Sequence, residues 1–245
     1  MNRFFISPDS VSGTSVNIPE DISAQIRKVL RLKEGTVVHF LDNCGSLYES
    51  AIHYEDDKHL TAEVLKIRPA EGEPEVRITL CIGLTQREKF EWILQKCTEA
   101  GVTGILPMIT ERSLIRKPSD VSGKEERWKK ILKEAAEQCG RGKIPELLPV
   151  MNFRQAAESA ANADLALFCW EEEKQRSLRE ILNPKQETIR SILLMIGPEG
   201  GFSGEEAEFA RQNRWQAVTL GRRIYRMETA AVAAVILTIY ELERE

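Results

Sequence analysis

Two hydrophobic periodicities divide this chain. Up to about residue 70, apolar and polar positions alternate at the spacing of half-buried strands. Phe4-Phe5-Ile6 is a short apolar run, and Thr36 to Leu41 follows the turn residue Gly35. Asp42-Asn43-Cys44-Gly45 reads as a turn, and Ser46 to Tyr54 and Thr61 to Ile67 alternate again. One helix interrupts them, Asp21 to Leu30, with Ile22, Ile26, Val29 and Leu30 on one face. The pattern predicts a small β-rich module of the barrel type. Pro69 to Pro74 mixes Pro, Gly and charge without an apolar period, so the boundary falls there, between domains 1–72 and 73–245.

Beyond the linker, strands and helices take turns. Strands are predicted at Val76–Ile82, Ile105–Ile109, Asp164–Cys169, Ser191–Ile196 and Gln216–Leu220. Helices are predicted at Glu88–Ala100, Lys124–Cys139, Glu205–Gln212 and Glu228–Leu242. Such alternation predicts an α/β domain with a mainly parallel sheet and a ligand at the carboxyl ends of its strands.

Three segments carry candidate chemistry. In the first, the apolar strand Leu193 to Ile196 runs into Gly197-Pro198-Glu199-Gly200-Gly201. Ser203 follows as a helix cap, with Glu205 and Glu206 in the first turn. Glycines let a ligand approach the backbone. The loop is neither Gly-x-Gly-x-x-Gly nor a phosphate loop ending in Gly-Lys-Ser/Thr, which argues against a dinucleotide-dependent reductase. Acidic residues at the helix start suit a cationic or uncharged ligand better than a phosphate. In the second segment, Leu220-Gly221-Arg222-Arg223-Ile224 leads through Arg226 and Glu228 into an Ala-rich helix. Arg226 and Glu228 stand at a second strand-end glycine, where they can work on a substrate. The third is Glu134 to Pro145, which includes Arg141.

Charge changes this picture only locally. The 245 residues carry Lys+Arg 34 against Asp+Glu 38, a net of -4 that argues against a surface coated for bulk nucleic-acid binding. Between Glu111 and Lys143, however, 10 basic residues face 6 acidic ones. That stretch reads either as a phosphate contact or as a salt-bridged surface helix. Arg3, Lys28 and Arg31 are candidates for a basic face on the first module. The cysteines (Cys44, Cys81, Cys97, Cys139, Cys169) are odd in number and widely spaced, and the three histidines all lie before residue 60. Neither a disulfide framework nor a metal site is expected, and a reducing cytoplasm fits. The apolar stretch Thr229 to Tyr240 is too short to span a bilayer, so no membrane partner is expected.

Taken in order, these segments resemble the RsmE-type uridine-N3 methyltransferases of small-subunit (16S) ribosomal RNA, in the SPOUT superfamily. The resemblance covers nearly the whole chain. It runs through Arg3-Phe4-Phe5, Lys28 to Arg31, Gln95 to Val102, Glu111-Arg112-Ser113 and Glu137 to Arg141. It continues through Ile196 to Gly201, Leu220 to Ile224, and Arg226 to Thr229. Ala100 and Tyr225 stand where the family usually has Leu.

The resemblance implies an N-terminal PUA-like β-barrel and a C-terminal α/β domain with a deep trefoil knot. It implies S-adenosylmethionine in that knot, held around Leu167, Phe168 and Cys169, by Ile196 to Gly201, and by Leu220, Gly221 and Ile224. A homodimer acting on 16S rRNA is also implied, with Arg3, Lys28, Arg31, Arg112, Arg222 and Arg223 as RNA contacts. Ribose-methylating relatives resemble one another in a Ser-Leu-Asn motif at the last helix, where this chain has Arg226-Met227-Glu228-Thr229; methylation of a base is therefore expected. Arg226 is expected to stabilise the substrate anion, with Arg141 as the alternative cation. Glu228 is read as proton acceptor or substrate-orienting group, and equally as a residue that holds an arginine in place. A non-catalytic RNA-binding protein is the competing class.

Overall fold

The computed structural model describes residues 2–56, 59–183 and 188–243. They form two compact units, one of 2–73 with 136–144 and one of 74–135 with 145–243.

The first unit contains β1 (Arg3–Phe5), β2 (Val11–Ser12), β3 (Ser15–Ile18), α1 (Glu20–Ala24), β4 (Val37–Leu41), β5 (Ser46–Tyr54) and β6 (Leu60–Pro69). The strands pair in the order β1-β4-β5-β6-β3-β2. β1 runs parallel to β4, and the other pairs are antiparallel. Period-2 alternation points Phe4, Val16, Ile18, Val38, Phe40, Ile52, Leu60 and Ala62 to one face, where they pack with Ile22 and Ile26 of the helical segment. The sheet curls around this core, helped by a bulge between Glu49 and Ser50 that bends β5.

Two readings of this region need correction. The expected helix to Leu30 keeps α-winding only to Ala24 and continues as a π-helix over Gln25–Leu30. The wider i→i+5 turn rotates Val29 off the apolar face, leaving it 72% exposed. The first unit also takes in residues 136–144, which the sequence places in the second domain. Non-local contacts cause this return. Phe5 N donates to Glu137 Oε1 at 2.9 Å, and Ile144 N donates to Asn43 Oδ1 at 2.7 Å. Ala136 is buried with Phe5, Leu41 and Leu47.

In the second unit β7 (Arg77–Gly83), α2 (Arg87–Glu99), β8 (Gly104–Ile109) and α3 (Glu125–Cys139, whose last turn belongs to the first unit) come first. Then follow β9 (Glu146–Leu147), β10 (Met151–Asn152), α4 (Phe153–Glu158), β11 (Leu165–Cys169), α5 (Leu178–Leu182), β12 (Ser191–Ile196), α6 (Gly204–Gln212), β13 (Gln216–Val218) and α7 (Met227–Leu242). The sheet order is β10-β8-β7-β12-β11-β13, with β9 beside β8. All pairs are parallel. Apolar runs such as Ile192 to Ile196 fit strands covered on both faces. The elements missing from the sequence reading, β9, β10, α4 and α5, are too short to show a period. Because every strand runs the same way, the carboxyl ends of β7, β12, β11 and β13 share one edge.

Candidate active site

At that edge the chain ends following β11, β12 and β13 surround a cleft of about 890 Å³. The first segment supplies Cys169, Trp170 and Glu171, the second Ile196 to Glu199 with Gly201 and Phe202, and the third Leu220 to Glu228. Two close approaches shape it. The parallel register of β7 with β12 sets Gly83 against the glycine loop, where a Cβ on Gly83 would lie 2.7 Å from Pro198 N. Gly201 adopts φ +67°, and a Cβ there would meet Glu171 Oε1 at 2.3 Å. Only glycine fits either position without a shift.

The expected cap is present: Ser203 Oγ accepts from Glu206 N at 3.3 Å, and Ser203 N donates to Glu206 Oε2 at 3.0 Å. Glu199 lines the cleft, but its carboxylate already accepts from the Thr85 hydroxyl and pairs with Lys89 Nζ at 2.9 Å. Burial pushes the Glu199 carboxyl up, and the Thr85 and Lys89 hydrogen bonds outweigh it, holding the group below the usual carboxylate range. Glu199 is therefore an anion that braces the loop.

Arg226 occupies the position before the first turn of α7, exposed and without a side-chain cap bond, and Glu228 lies in that first turn. Both line the cleft. Among the described residues Glu228 Oε2 is buried without a hydrogen-bond partner, and so is Trp170 Nε1. An unpaired acceptor and an unpaired donor beside one cleft leave polar groups for a ligand to satisfy. Arg222 and Arg223 are exposed at the cleft, and Arg223 Nη2 donates to Tyr225 OH at 3.3 Å.

The cleft thus gathers Cys169, Ile196, Gly197, Pro198, Glu199, Gly201, Leu220, Gly221, Ile224, Arg226 and Glu228 from the expected set. It does not gather them all. Leu167 and Phe168 are core residues of β11, 0% and 1% exposed, because the strand runs two residues further before it opens into the cleft. Gly200 turns away from the cleft and lies against Arg112.

Arg112 is engaged within the second unit: its Nη1 donates to Gly200 O at 2.8 Å. Arg141 belongs to the first unit and is 3% exposed, with Nη2 2.6 Å from Glu73 Oε2 and Nε 3.2 Å from Glu73 Oε1. A buried guanidinium paired with one carboxylate through both donors of its Nε–Nη2 edge is a structural group, so Arg141 is withdrawn as the alternative cation. Arg3 packs on Gly140, where a Cβ would lie 2.5 Å from its Nη1. Lys28 and Arg31 are exposed.

The sequence reading missed Lys89, Thr85 and Gly83. Nothing local marks them, because their meeting with the glycine loop depends on the β7–β12 register. Among the described residues no group of His, Cys, Asp and Glu could hold a metal ion, and no helix is long and apolar enough to cross a membrane.

A family model described as an RNA methyltransferase domain matches residues 72–239. Ribosomal RNA small subunit methyltransferase E of Synechocystis sp. is 34% identical over 235 residues, 95% of this chain and 75% of the relative. The enzyme of the same name from Bacillus subtilis is 30% identical over 99% of this chain and 98% of its own length. A crystal structure of ribosomal RNA small subunit methyltransferase E from Neisseria gonorrhoeae, bound to S-adenosylmethionine, superposes with a TM-score of 0.85 at 30% identity. It covers 97% of this chain and 96% of its own. With its parallel sheet, its curled sheet and its glycine-lined cleft, this chain belongs to the family of RNA methyltransferases that includes ribosomal RNA small subunit methyltransferase E.

Proposed function

We propose that this chain transfers a methyl group from S-adenosylmethionine to N3 of a uridine in 16S ribosomal RNA. The observation that carries the reading is the three-segment cleft, with Arg226 and the unpaired Glu228 Oε2 beside it. The residues present fit the cofactor: glycines permit close approach, the glycine loop is not a phosphate loop, and Trp170 Nε1 and Glu228 Oε2 lack hydrogen-bond partners among the described residues. Ile196 to Glu199, Gly201, Leu220, Gly221 and Ile224 would hold it. When bound, S-adenosylmethionine supplies a methyl group on a positively charged sulfur.

The chain's own residues prepare the nucleophile. Uracil N3 carries a proton and attacks only once that proton leaves. Glu228 Oε2 accepts the proton, directly or through water. Arg226 stabilises the negative charge that spreads to the uracil carbonyl oxygens. N3 then forms its bond to the methyl carbon as the sulfur–carbon bond breaks. Orientation by the cleft walls supplies much of the acceleration. Arg222 and Arg223 contact phosphates beside the target base, and Lys28 and Arg31 contact RNA from the first unit, which is a PUA-like barrel.

The finer architecture belongs to the same reading. Past β13 the chain runs beside residues 176–178: Thr219 N donates to Arg176 O at 2.8 Å, and Leu178 N donates to Thr219 O at 3.3 Å. This path supports a trefoil knot at the cleft. Ile236 and Tyr240 leave α7 50% and 69% exposed, an apolar face that supports a homodimer. Sedimentation should find a dimer that Ile236→Glu with Tyr240→Glu converts to monomer; a wild-type monomer would rule it out. A cytoplasmic enzyme of ribosome maturation is the setting this implies. Transfer of labelled methyl from S-adenosylmethionine to 16S rRNA in small subunits tests the activity. Absence of transfer to both free RNA and subunits would refute it.

A further inference from the structure

The turn Glu111-Arg112-Ser113 after β8 plays no part in the mechanism above, yet it is tightly built. Thr110 N donates to Ser113 Oγ at 3.0 Å, and Ser113 N donates to Thr110 O at 3.2 Å. Both residues are buried, at 3% and 1% exposure. Arg116 closes the turn by donating to Glu111 O.

This turn meets the glycine loop at two points. Glu206, 8% exposed, accepts from Ser203 N at 3.0 Å with Oε2 and from Glu111 N at 2.8 Å with Oε1. One carboxylate therefore spans two loops, each oxygen taking one backbone N–H. From the turn, Arg112 Nη1 donates to Gly200 O at 2.8 Å. A Cβ on Gly200 would lie 3.1 Å from Arg112 Cβ, so the side chain lies along the loop's outer side. The neighbours Glu199 and Gly201 line the cleft while Gly200 does not. The loop is thus gripped from behind, with its inner side left to the ligand.

We propose that the Glu111-Arg112-Ser113 turn clamps the glycine loop in its ligand-binding shape, with Arg112 and Glu206 as positioning residues for cofactor binding. This rests on the reading of the cleft as the cofactor site. It gives Arg112 a different task from the RNA contact expected of it. Charge-assisted hydrogen bonds at Gly200 O and at Ser203 N fix both ends of the turn Gly200 to Ser203. Loss of either leaves the loop to be ordered by the ligand, which weakens binding.

The test uses the full chain, with calorimetric binding of S-adenosylhomocysteine and RNA binding titrated against salt. Arg112→Ala should weaken S-adenosylhomocysteine binding by about tenfold. The salt dependence of 16S rRNA binding should stay unchanged, because no phosphate contact is lost. Arg112→Lys, which can still donate to Gly200 O, should recover most of the affinity. Glu206→Gln has one acceptor oxygen for two N–H groups and should lose a similar factor. The double variant should be no weaker than the product of the two losses, since Glu206 holds the turn that presents Arg112. Arg112 is exposed, so its variants keep their fold, which thermal melting checks. Wild-type cofactor affinity in both Arg112→Ala and Glu206→Gln would overturn the clamp. A reduced salt slope with unchanged cofactor affinity in Arg112→Ala would overturn it in favour of an RNA contact. A wild-type chain that failed to bind S-adenosylhomocysteine would instead overturn the proposed function itself.

Discussion

Arg226→Ala should lower methyl transfer to 16S rRNA by about 10²–10³-fold, the range for removing one preorganised donor to a developing anion. S-adenosylhomocysteine affinity should stay within about twofold, because a donor that acts on the substrate base adds little to cofactor binding. Arg226 stands at the start of α7, exposed at the cleft and making no side-chain cap bond. It can therefore be removed without stripping the helix of a cap. Single-turnover rates with saturating cofactor give the measurement. A variant that kept near wild-type turnover, or that lost cofactor affinity in proportion to rate, would show that Arg226 is not the group that stabilises the uracil anion.

The second large effect falls on stability. Glu73→Ala should destabilise the first unit by about 3 kcal/mol, at the lower end for breaking a buried ion pair because Glu73 itself is partly exposed. The same carboxylate also accepts from Lys143 N at 2.9 Å, so its loss loosens the returning segment 136–144 at a second point. Denaturant melts should show the lowered midpoint. Turnover per folded molecule should stay close to wild type, since Arg141 is a structural group here. The opposite pattern, an unchanged melt with a large loss of turnover, would restore Arg141 to the chemistry.

Local pattern revealed those parts of the molecule that local pattern determines. Ser46–Tyr54 and Ser191–Ile196 are strands with the bounds their alternation and apolar run suggest. The path from Ile196 through three glycines to a capped helix at Ser203 was legible because strand, turn and cap each leave a short-range mark. The place of Arg226 and Glu228 at the cleft was legible from their position after a strand-end glycine.

Features set by distant partners were hidden. Arg141 reads as a candidate cation in a basic stretch, and only the fold brings Glu73 to it. Arg112 reads as an RNA contact in the sequence, and only the fold brings Gly200 O within reach of its Nη1. Lys89 sits in an ordinary amphipathic helix, and the parallel pairing of β7 with β12 turns it toward Glu199. Val29 keeps α-helical spacing in the sequence but lies in a π-turn. Leu167 and Phe168 differ from Cys169 only in how far along β11 the cleft begins.

On the proposed function, this cleft methylates N3 of a uridine in 16S rRNA. Nucleoside mass mapping of 16S rRNA from cells with and without this chain decides the question. A single 3-methyluridine should be present with the chain, absent without it, and restored by wild type but not by Arg226→Ala. An unchanged modification pattern, or a missing methyl that maps to a ribose or to another base, would contradict it.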